Sequence, residues 1–372
     1  KILGQSHREI AEALCLIADS YSKQANYVQA EPLYKRALDI GQKEASPPDK
    51  YLVELLDNLA DCYCSLHKFA LAEALYKKEI AIRESLIGAE SPEIVSSLTR
   101  LANCNQHQGK DVDAEGLWKR IIAINNKSGE KSEDNTVYLD ALADNYAKQT
   151  KYAQAESLLK QTLAIKEREG ASDTVIEKYL FSLAICYEHT NKFAEAEPII
   201  RRLYTMCAAT KNGATPYKDW SCLNLANCYL RLGKYSEAEP LYKELVDLRV
   251  SILGPNNVNV AEALSGLARC FLARNQTVEA EALYKRSFAI LEKTYQNKDI
   301  PEFVPNLKGL AGCYEAQGNF ASAEVLWKRI QAILIKYPGQ YEDDLANVRA
   351  KLVNCYERQG KHALAEEAKK EK

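Results

Sequence analysis

The chain has 372 residues, of which 47% are hydrophobic and 27% are charged, and its formal net charge is −2. The near balance of 49 basic and 51 acidic residues argues against a nucleic-acid-binding protein, which needs a strong basic excess. No apolar run approaches the roughly 18 residues that a membrane-spanning helix requires, so we expect no membrane insertion.

The dipeptide Ala-Glu recurs along the chain at intervals of 41 to 43 residues. Self-similarity at such a period predicts an array of stacked structural repeats. A stacked array has an extended surface suited to holding other molecules. We therefore expect one domain over residues 1–372, with units at 6–45, 49–88, 91–129, 134–170, 172–211, 215–254, 256–297, 300–338 and 341–372.

The first segment of each unit carries a pattern of the form LAxCY, as in Leu59 to Tyr63. An apolar residue three positions before the leucine and the aromatic four positions after it lie on one face of a helix. A polar break follows, and Gly109 and Gly233 mark it in two units, where a left-handed residue ends the helix. The pattern predicts a first helix and a tight turn in every unit. Ser91-Pro92 and Thr215-Pro216 fit the start of this helix, with a capping residue followed by proline.

A second helix follows, with the pattern YxxAExLYKRA, as in Tyr27 to Ala37. Its alanines allow close helix approach. A base follows each glutamate of Ala-Glu by four residues, a spacing that stabilises an exposed helix by about 0.2–0.5 kcal/mol per pair. We therefore interpret these pairs as a solvated face. They are Glu31/Lys35, Glu73/Lys77, Glu115/Lys119, Glu156/Lys160, Glu197/Arg201, Glu239/Lys243, Glu281/Lys285, Glu324/Lys328 and Glu366/Lys370.

Seven of the eleven cysteines occupy one repeat position. Equivalent helices of neighbouring units lie about 8–10 Å apart or more, beyond the roughly 7 Å between Cα atoms that a disulfide allows. We expect them to be small core residues of a protein in a reducing, cytoplasmic compartment. They are Cys62, Cys104, Cys186, Cys228, Cys270, Cys313 and Cys355.

The two-helix unit with Leu-Ala…Tyr and then Ala…Tyr…Ala resembles the tetratricopeptide repeat (TPR). The long period and the phrases AEPLYKRAL and ILG…VAEAL are similar to the kinesin light chain type. The resemblance covers the whole chain and implies an all-α solenoid of about nine antiparallel helix pairs in a right-handed superhelix. Four residues depart from the pattern, and we expect their units to be weaker. They are Asn105 at an aromatic position, Asp111 and Thr277 at the start of a second helix, and Asn145 at a cysteine position.

No pattern of catalytic or metal-binding residues emerges. The histidines fall in separate units without a second ligand nearby, and no phosphate-binding loop or nucleophile elbow occurs. We expect no enzyme activity, no catalytic residues, no metal and no cofactor. The histidines are His7, His67, His107, His189 and His362.

The resemblance implies that the first helices line a concave groove, with the residue two positions after the leucine of LAxCY facing it. Family members hold extended peptides with groove asparagines, whose amides pair with a backbone carbonyl and N–H together. We expect the groove to be acidic early in the chain and more basic from about Asn227 onward. The predicted peptide-binding residues are Asn103, Asp144, Lys148, Trp220, Asn227, Arg231, Arg269 and Asn354.

The leading hypothesis is a protein-interaction adaptor or scaffold that binds an extended segment of a partner in this groove. The alternative is the sensor arm of a larger signalling NTPase or protease-like protein. The chain begins at Lys1 rather than Met, which leads us to expect further residues upstream. The sequence leaves self-association open.

Overall fold

The computed structural model describes residues 2–44, 49–129, 135–209, 217–296 and 298–370. The chain divides into two compact units, residues 1–190 and 191–372. This division falls inside the fifth predicted repeat, 172–211. A single continuous superhelix, and its hand, stay predictions.

In the first unit each helix packs against the next along the chain. The helices are α1 (Ile2–Lys23), α2 (Tyr27–Glu44), α3 (Lys50–Ser65), α4 (Phe69–Ile87), α5 (Val95–His107), α6 (Asp111–Ser128), α7 (Thr136–Lys148), α8 (Tyr152–Arg168) and α9 (Asp173–His189).

The second unit has the same construction. Its helices are α10 (Phe193–Ala209), α11 (Lys218–Arg231), α12 (Tyr235–Leu253), α13 (Val258–Ala273), α14 (Thr277–Thr294), α15 (Val304–Ala316), α16 (Phe320–Leu334), α17 (Glu342–Arg358) and α18 (His362–Lys370). No strand occurs within the described ranges, and the predicted all-α solenoid class is confirmed.

In all nine units the alanine of the periodic Ala-Glu dipeptide, at position 30, 72, 114, 155, 196, 238, 280, 323 or 365, is at most 2% exposed. A methyl side chain at this position lets neighbouring helices approach closely, while larger residues such as Tyr76 and Tyr242, each 1% exposed, fill the space beside it. The repeated dipeptide therefore marks the packed side of each second helix.

The predicted turns are confirmed at Gly109 and Gly233, each with φ of +71°. At the same repeat position Thr150 and Asn275 adopt similar left-handed conformations without being glycine. The predicted helix start at Ser91-Pro92 is a 3-10 turn over Pro92–Ile94, capped by the Ser91 hydroxyl. The similar start predicted at residues 215–216 lies outside the described residues.

The seven cysteines of the shared position are buried, as predicted. The thiols of Cys104 and Cys228 donate to the carbonyls of Phe69 and Phe193, which open the preceding second helices, at 3.1 and 3.0 Å. These thiols thus connect neighbouring repeats by hydrogen bonds as well as by packing.

Two of the sequence departures contact each other. The amide nitrogen of buried Asn145 lies 3.5 Å from the Asp111 carboxylate, where other repeats place a cysteine against the residue that opens a second helix. The amide of Gln149 also donates to Asn145 Oδ1 at 2.7 Å. A polar contact between these repeats replaces the thiol contact found elsewhere.

The interpretation of the Glu/base pairs as a solvated face is wrong for the glutamates. Glu115 accepts from Lys119 at 2.6 Å within its helix and from Lys151 of the next repeat at 2.7 Å. Its side chain is 12% exposed, against 54% for Lys119. Because each such carboxylate faces the neighbouring repeat, it binds the two repeats together. The side chain of Lys370, the base predicted to pair with Glu366, lies outside the described ones. Second partners from the next repeat also bind Glu31, Glu73, Glu197, Glu239, Glu281 and Glu324.

Candidate functional site

The predicted groove residues of the first unit lie on two first helices. Asn103 is on α5, and Asp144 and Lys148 are on α7, and all three are exposed. They do not line the cavity of about 290 Å³ in this unit, which is bordered by residues of α6, α7 and α8.

A larger cavity, of about 1040 Å³, lies in the second unit. It spans the first helices α11, α13 and α15, and rings from the second helices α12 and α14 reach into it. Of the predicted residues it brings together Asn227 and Arg269. The lining also includes Leu223, Leu230, Tyr235, Tyr242, Val258, Asn259, Glu262, Ser265, Gly266, Leu272, Ala273, Tyr284, Leu291, Tyr295, Glu302, Pro305, Asn306, Lys308 and Gly309.

The other predicted residues of this unit lie outside the cavity lining. The guanidinium of Arg231 stacks 5.7 Å from the centre of the Phe193 ring. Trp220 on α11 and Asn354 on α17 are both half-buried. The structure therefore holds Arg231 against its own unit.

The stacking of Arg231 follows a repeat rule that also explains two histidines. In the first unit His107 stacks on Phe69 with ring centres 4.8 Å apart, and His189 stacks on Tyr152 at 4.1 Å. In each case the side chain from the end of a first helix covers the aromatic residue that opens the preceding second helix. These histidines have a packing role.

Asn227 forms a hydrogen bond inside its own repeat. Its Oδ1 accepts from the Tyr242 hydroxyl at 2.6 Å. This bond uses one of the two lone pairs of the amide oxygen, and the pairing of the amide with a peptide carbonyl and N–H together stays a prediction. The Nδ2 donors are left to face the cavity.

The same fifteen-residue relationship joins two other pairs in the first unit. Tyr34 donates to Asp19 at 2.6 Å and Tyr76 to Asp61 at 2.5 Å. A carboxylate or amide oxygen at the groove position of the first helix thus receives the tyrosine hydroxyl of the second helix.

Arg269 and Tyr284 occupy the corresponding positions one repeat after Asn227 and Tyr242, but no hydrogen bond joins them in the described structure. Arginine has no acceptor atom, so the Tyr284 hydroxyl cannot donate a hydrogen bond to it. The hydroxyl remains a free donor although the residue is only 1% exposed. Burial raises the pKa of Tyr284, and the nearby Arg269 guanidinium opposes that rise. Both groups present hydrogen-bond donors to the cavity.

Two glycines let the tyrosine rings reach this position. A methyl group at Gly266 would lie 2.2 Å from Cε1 of Tyr242, and one at Gly309 would lie 2.2 Å from Cζ of Tyr284. Each ring therefore occupies the space that a side chain of the next first helix would fill. The cavity floor combines these rings with bare helix backbone.

Two of the four charged residues that line the cavity have an ion-pair partner. The carboxylate of Glu262 is held at 2.9 Å by Arg249, a residue only 4% exposed that also pairs with Asp219 at 2.8 Å. Lys308 is ion-paired with Asp344. Arg269 and Glu302 have no ion pair within the described part of the chain. The expectation of a more basic groove from Asn227 onward is therefore wrong for this cavity, which contains both signs.

One buried amide of the lining is also unsatisfied. Asn306 is 5% exposed, and its Oδ1 has no hydrogen-bond partner among the described atoms. An unpaired buried acceptor costs free energy. A ligand N–H at this point of the cavity would remove that cost.

Sequence reasoning missed Tyr242, Tyr284, Asn306 and the two glycines. A usable signal was present at the position just before the leucine of LAxCY. The seventh and eighth units have glycine there, whereas the other units from the second onward have Asn58, Arg100, Ala141, Ser182, Asn224 and Lys351.

The described residues contain no group of three or more histidine, cysteine, aspartate or glutamate side chains arranged to hold a metal ion. Within the same residues no helix is long and apolar enough to cross a membrane.

Comparisons with known proteins identify the family of the chain. The profile of the tetratricopeptide repeat matches residues 9–85, 51–127, 93–168 and 220–293, together more than half of the chain. No curated protein matches the sequence significantly.

Two solved structures show the same fold at low sequence identity. The C-terminal part of a TPR repeat-containing protein from Cytophaga hutchinsonii is 15% identical, covers 74% of this chain and 94% of its own, and has a TM-score of 0.51. The apo form of the quorum sensor NprR from B. thuringiensis is 13% identical, covers 98% and 97%, and has a TM-score of 0.50. A putative kinesin light chain from Podosopora anserina is 22% identical over 65% and 96%, with a TM-score of 0.29. From the matched repeats and the stacked helix pairs, the chain belongs to the tetratricopeptide repeat family.

Proposed function

We propose that this chain is a non-enzymatic protein-interaction scaffold that binds an extended segment of a partner protein in the cavity of the second unit. The observation that carries the proposal is the cavity of about 1040 Å³ with an apolar floor and unpaired polar groups. Tyrosine rings and helix backbone supply contact area there, while Asn227, Arg269 and Tyr284 supply donors. Such a site favours a chain of peptide groups over a compact small molecule.

We also propose the type of repeat, the cellular compartment and the class of partner. The period of about 42 residues supports a TPR of the kinesin light chain type. The burial of seven thiols as packing residues supports a reducing, cytoplasmic compartment. The near-neutral charge supports protein partners rather than nucleic acid.

Affinity capture with the complete chain, followed by mapping of the retained segment, tests the proposal. Asn227→Ala and Arg269→Ala are expected to weaken retention of the mapped segment, because each removes donors from the cavity. Arg231→Ala serves as a third variant, whose smaller effect reflects its stacking on Phe193. Folding is followed by circular dichroism. Unchanged binding by the Asn227 and Arg269 variants would show that the partner uses another surface.

A further inference from the structure

The unsatisfied donors of the cavity are the Arg269 guanidinium, toward the end of α13, and the Tyr284 hydroxyl, which lies against α15. Arg269 has no ion pair in the described structure, and the Tyr284 hydroxyl has no acceptor although its residue is 1% exposed. The Tyr284 oxygen would lie 2.6 Å from a methyl group at Gly309, so it lies directly against the α15 backbone. A cation and a buried hydroxyl donor together suit a carboxylate.

The unsatisfied acceptors lie toward the start of α15. The Oδ1 atom of Asn306 is buried and unpartnered. Glu302, in the short turn that leads into α15, is exposed and has no ion pair among the described residues. Both residues line the same cavity, four positions apart in the chain, and two acceptors there suit an ammonium or guanidinium group.

The distance between the donors and the acceptors of the cavity follows from their positions along α15. Gly309, against the Tyr284 hydroxyl, comes seven residues after Glu302, which corresponds to about 10 Å at 1.5 Å per residue. An extended peptide covers about the same distance in three residues. Glu262 and Lys308, the other charged residues of the lining, have ion-pair partners in Arg249 and Asp344. Arg249 also binds Asp219, so Glu262 keeps part of its negative charge.

We propose that the cavity recognises a peptide segment with an acidic side chain at Arg269 and Tyr284 and a basic side chain about three residues away at Asn306 and Glu302. This assignment rests on the proposed peptide-binding function. To that function it adds which charged side chains the bound segment carries and how far apart they are. The site depends on arginine replacing the usual acceptor at position 269, so it is particular to this repeat.

A selection experiment tests the proposal with the complete chain. The probe is a display library of short randomised peptides, each fused through its C-terminus so that it has no free terminal carboxylate. The expected result is a set of retained peptides that share one Asp or Glu and one Lys or Arg at a fixed spacing. Synthetic copies with amidated ends should bind as well as copies with free ends.

The variants separate the two ends of the site. Arg269→Gln and Tyr284→Phe should each weaken the selected peptide by about tenfold or more and abolish the preference for its acidic residue. Glu302→Gln and Asn306→Leu should abolish the preference for its basic residue and leave the acidic preference intact. Matched controls are Arg286→Gln and Glu279→Gln, exposed residues of α14 outside the cavity.

Several results would overturn the inference. Retained peptides without either charge, preferences that persist in the variants, or binding that requires a free C-terminus each contradict it. If wild-type protein retains peptides that depend on Asn227 but show no paired charges, the proposed function stands and this assignment fails. If wild-type protein retains no peptide at all, both fail.

Discussion

Asn227 and Tyr242 are fifteen residues apart in sequence, and their side chains meet through a hydrogen bond of 2.6 Å. The bond joins the two helices of one repeat and aims the remaining Asn227 donors at the cavity. One repeat later Arg269 and Tyr284 occupy the same positions without such a bond. The proposed recognition of a peptide in the cavity rests on this difference.

The first prediction compares the two hydroxyls. Tyr242→Phe is expected to lower the free energy of unfolding by about 1 kcal/mol, because it removes a hydrogen bond and leaves Asn227 Oδ1 without its donor. Tyr284→Phe should change stability by less than about 0.5 kcal/mol, because its hydroxyl has no partner. Urea denaturation followed by circular dichroism measures both. Equal losses would mean that Tyr284 has an acceptor within the protein.

The second prediction concerns the close approach of rings to glycine. Gly266→Ala and Gly309→Ala should each destabilise the chain by about 1–3 kcal/mol, because the added methyl group must displace a buried tyrosine ring. The matched control is Gly116→Ala on α6, where a methyl group meets nothing within 4 Å. That change should stabilise the helix by about 0.5–1 kcal/mol. If all three substitutions destabilised the chain equally, contact with the tyrosine ring could not be the cause.

The third prediction follows from the glutamates that join repeats. The hydrogen bonds from Lys119 and then Lys151 lower the pKa of Glu115 to about 2, whereas an unfolded glutamate titrates near 4.3. Because the unfolded chain binds protons first, stability from this group is present above about pH 4.5 and is lost as the pH falls toward 2.

Glu115→Gln should therefore be less stable than wild type at pH 7 and should lose less stability between pH 4.5 and 2. The free energy of unfolding measured across this range gives the comparison. Glu237→Gln, at an exposed position of α12, changes the net charge equally and should leave the acid profile as in wild type. An unchanged profile for Glu115→Gln would contradict the proposed linkage.

The fourth prediction concerns the paired departures Asp111 and Asn145. Asn145→Cys breaks the contacts with Asp111 and Gln149, and Asp111→Phe removes the carboxylate that faces the amide. The double variant restores the pairing found at Cys104 and Phe69, so its loss of stability should be smaller than the sum of the single losses by about 1 kcal/mol. A thermodynamic cycle from denaturation data measures this coupling, and simple additivity would show that the two positions act independently.

The repeat pattern predicted the helices because it depends on local periodicity. The buried alanines of Ala-Glu, the left-handed turn at Gly109 and the buried thiol of Cys228 all follow from their position within one unit. The glutamates of Ala-Glu were misinterpreted, since a spacing of four residues describes one helix. The second partner of Glu115, Lys151, comes from the next repeat.

The sequence by itself determined the family and the all-α class, because these depend on which residues recur every 42 or so positions. Only the tertiary structure decided which groove residues are available to a ligand. Asn227 is partly occupied because the Tyr242 hydroxyl reaches it from another helix, and Arg269 is available because Tyr284 cannot donate to a guanidinium. Such pairings depend on the distance between helices and on the direction of each side chain, which a linear pattern does not specify.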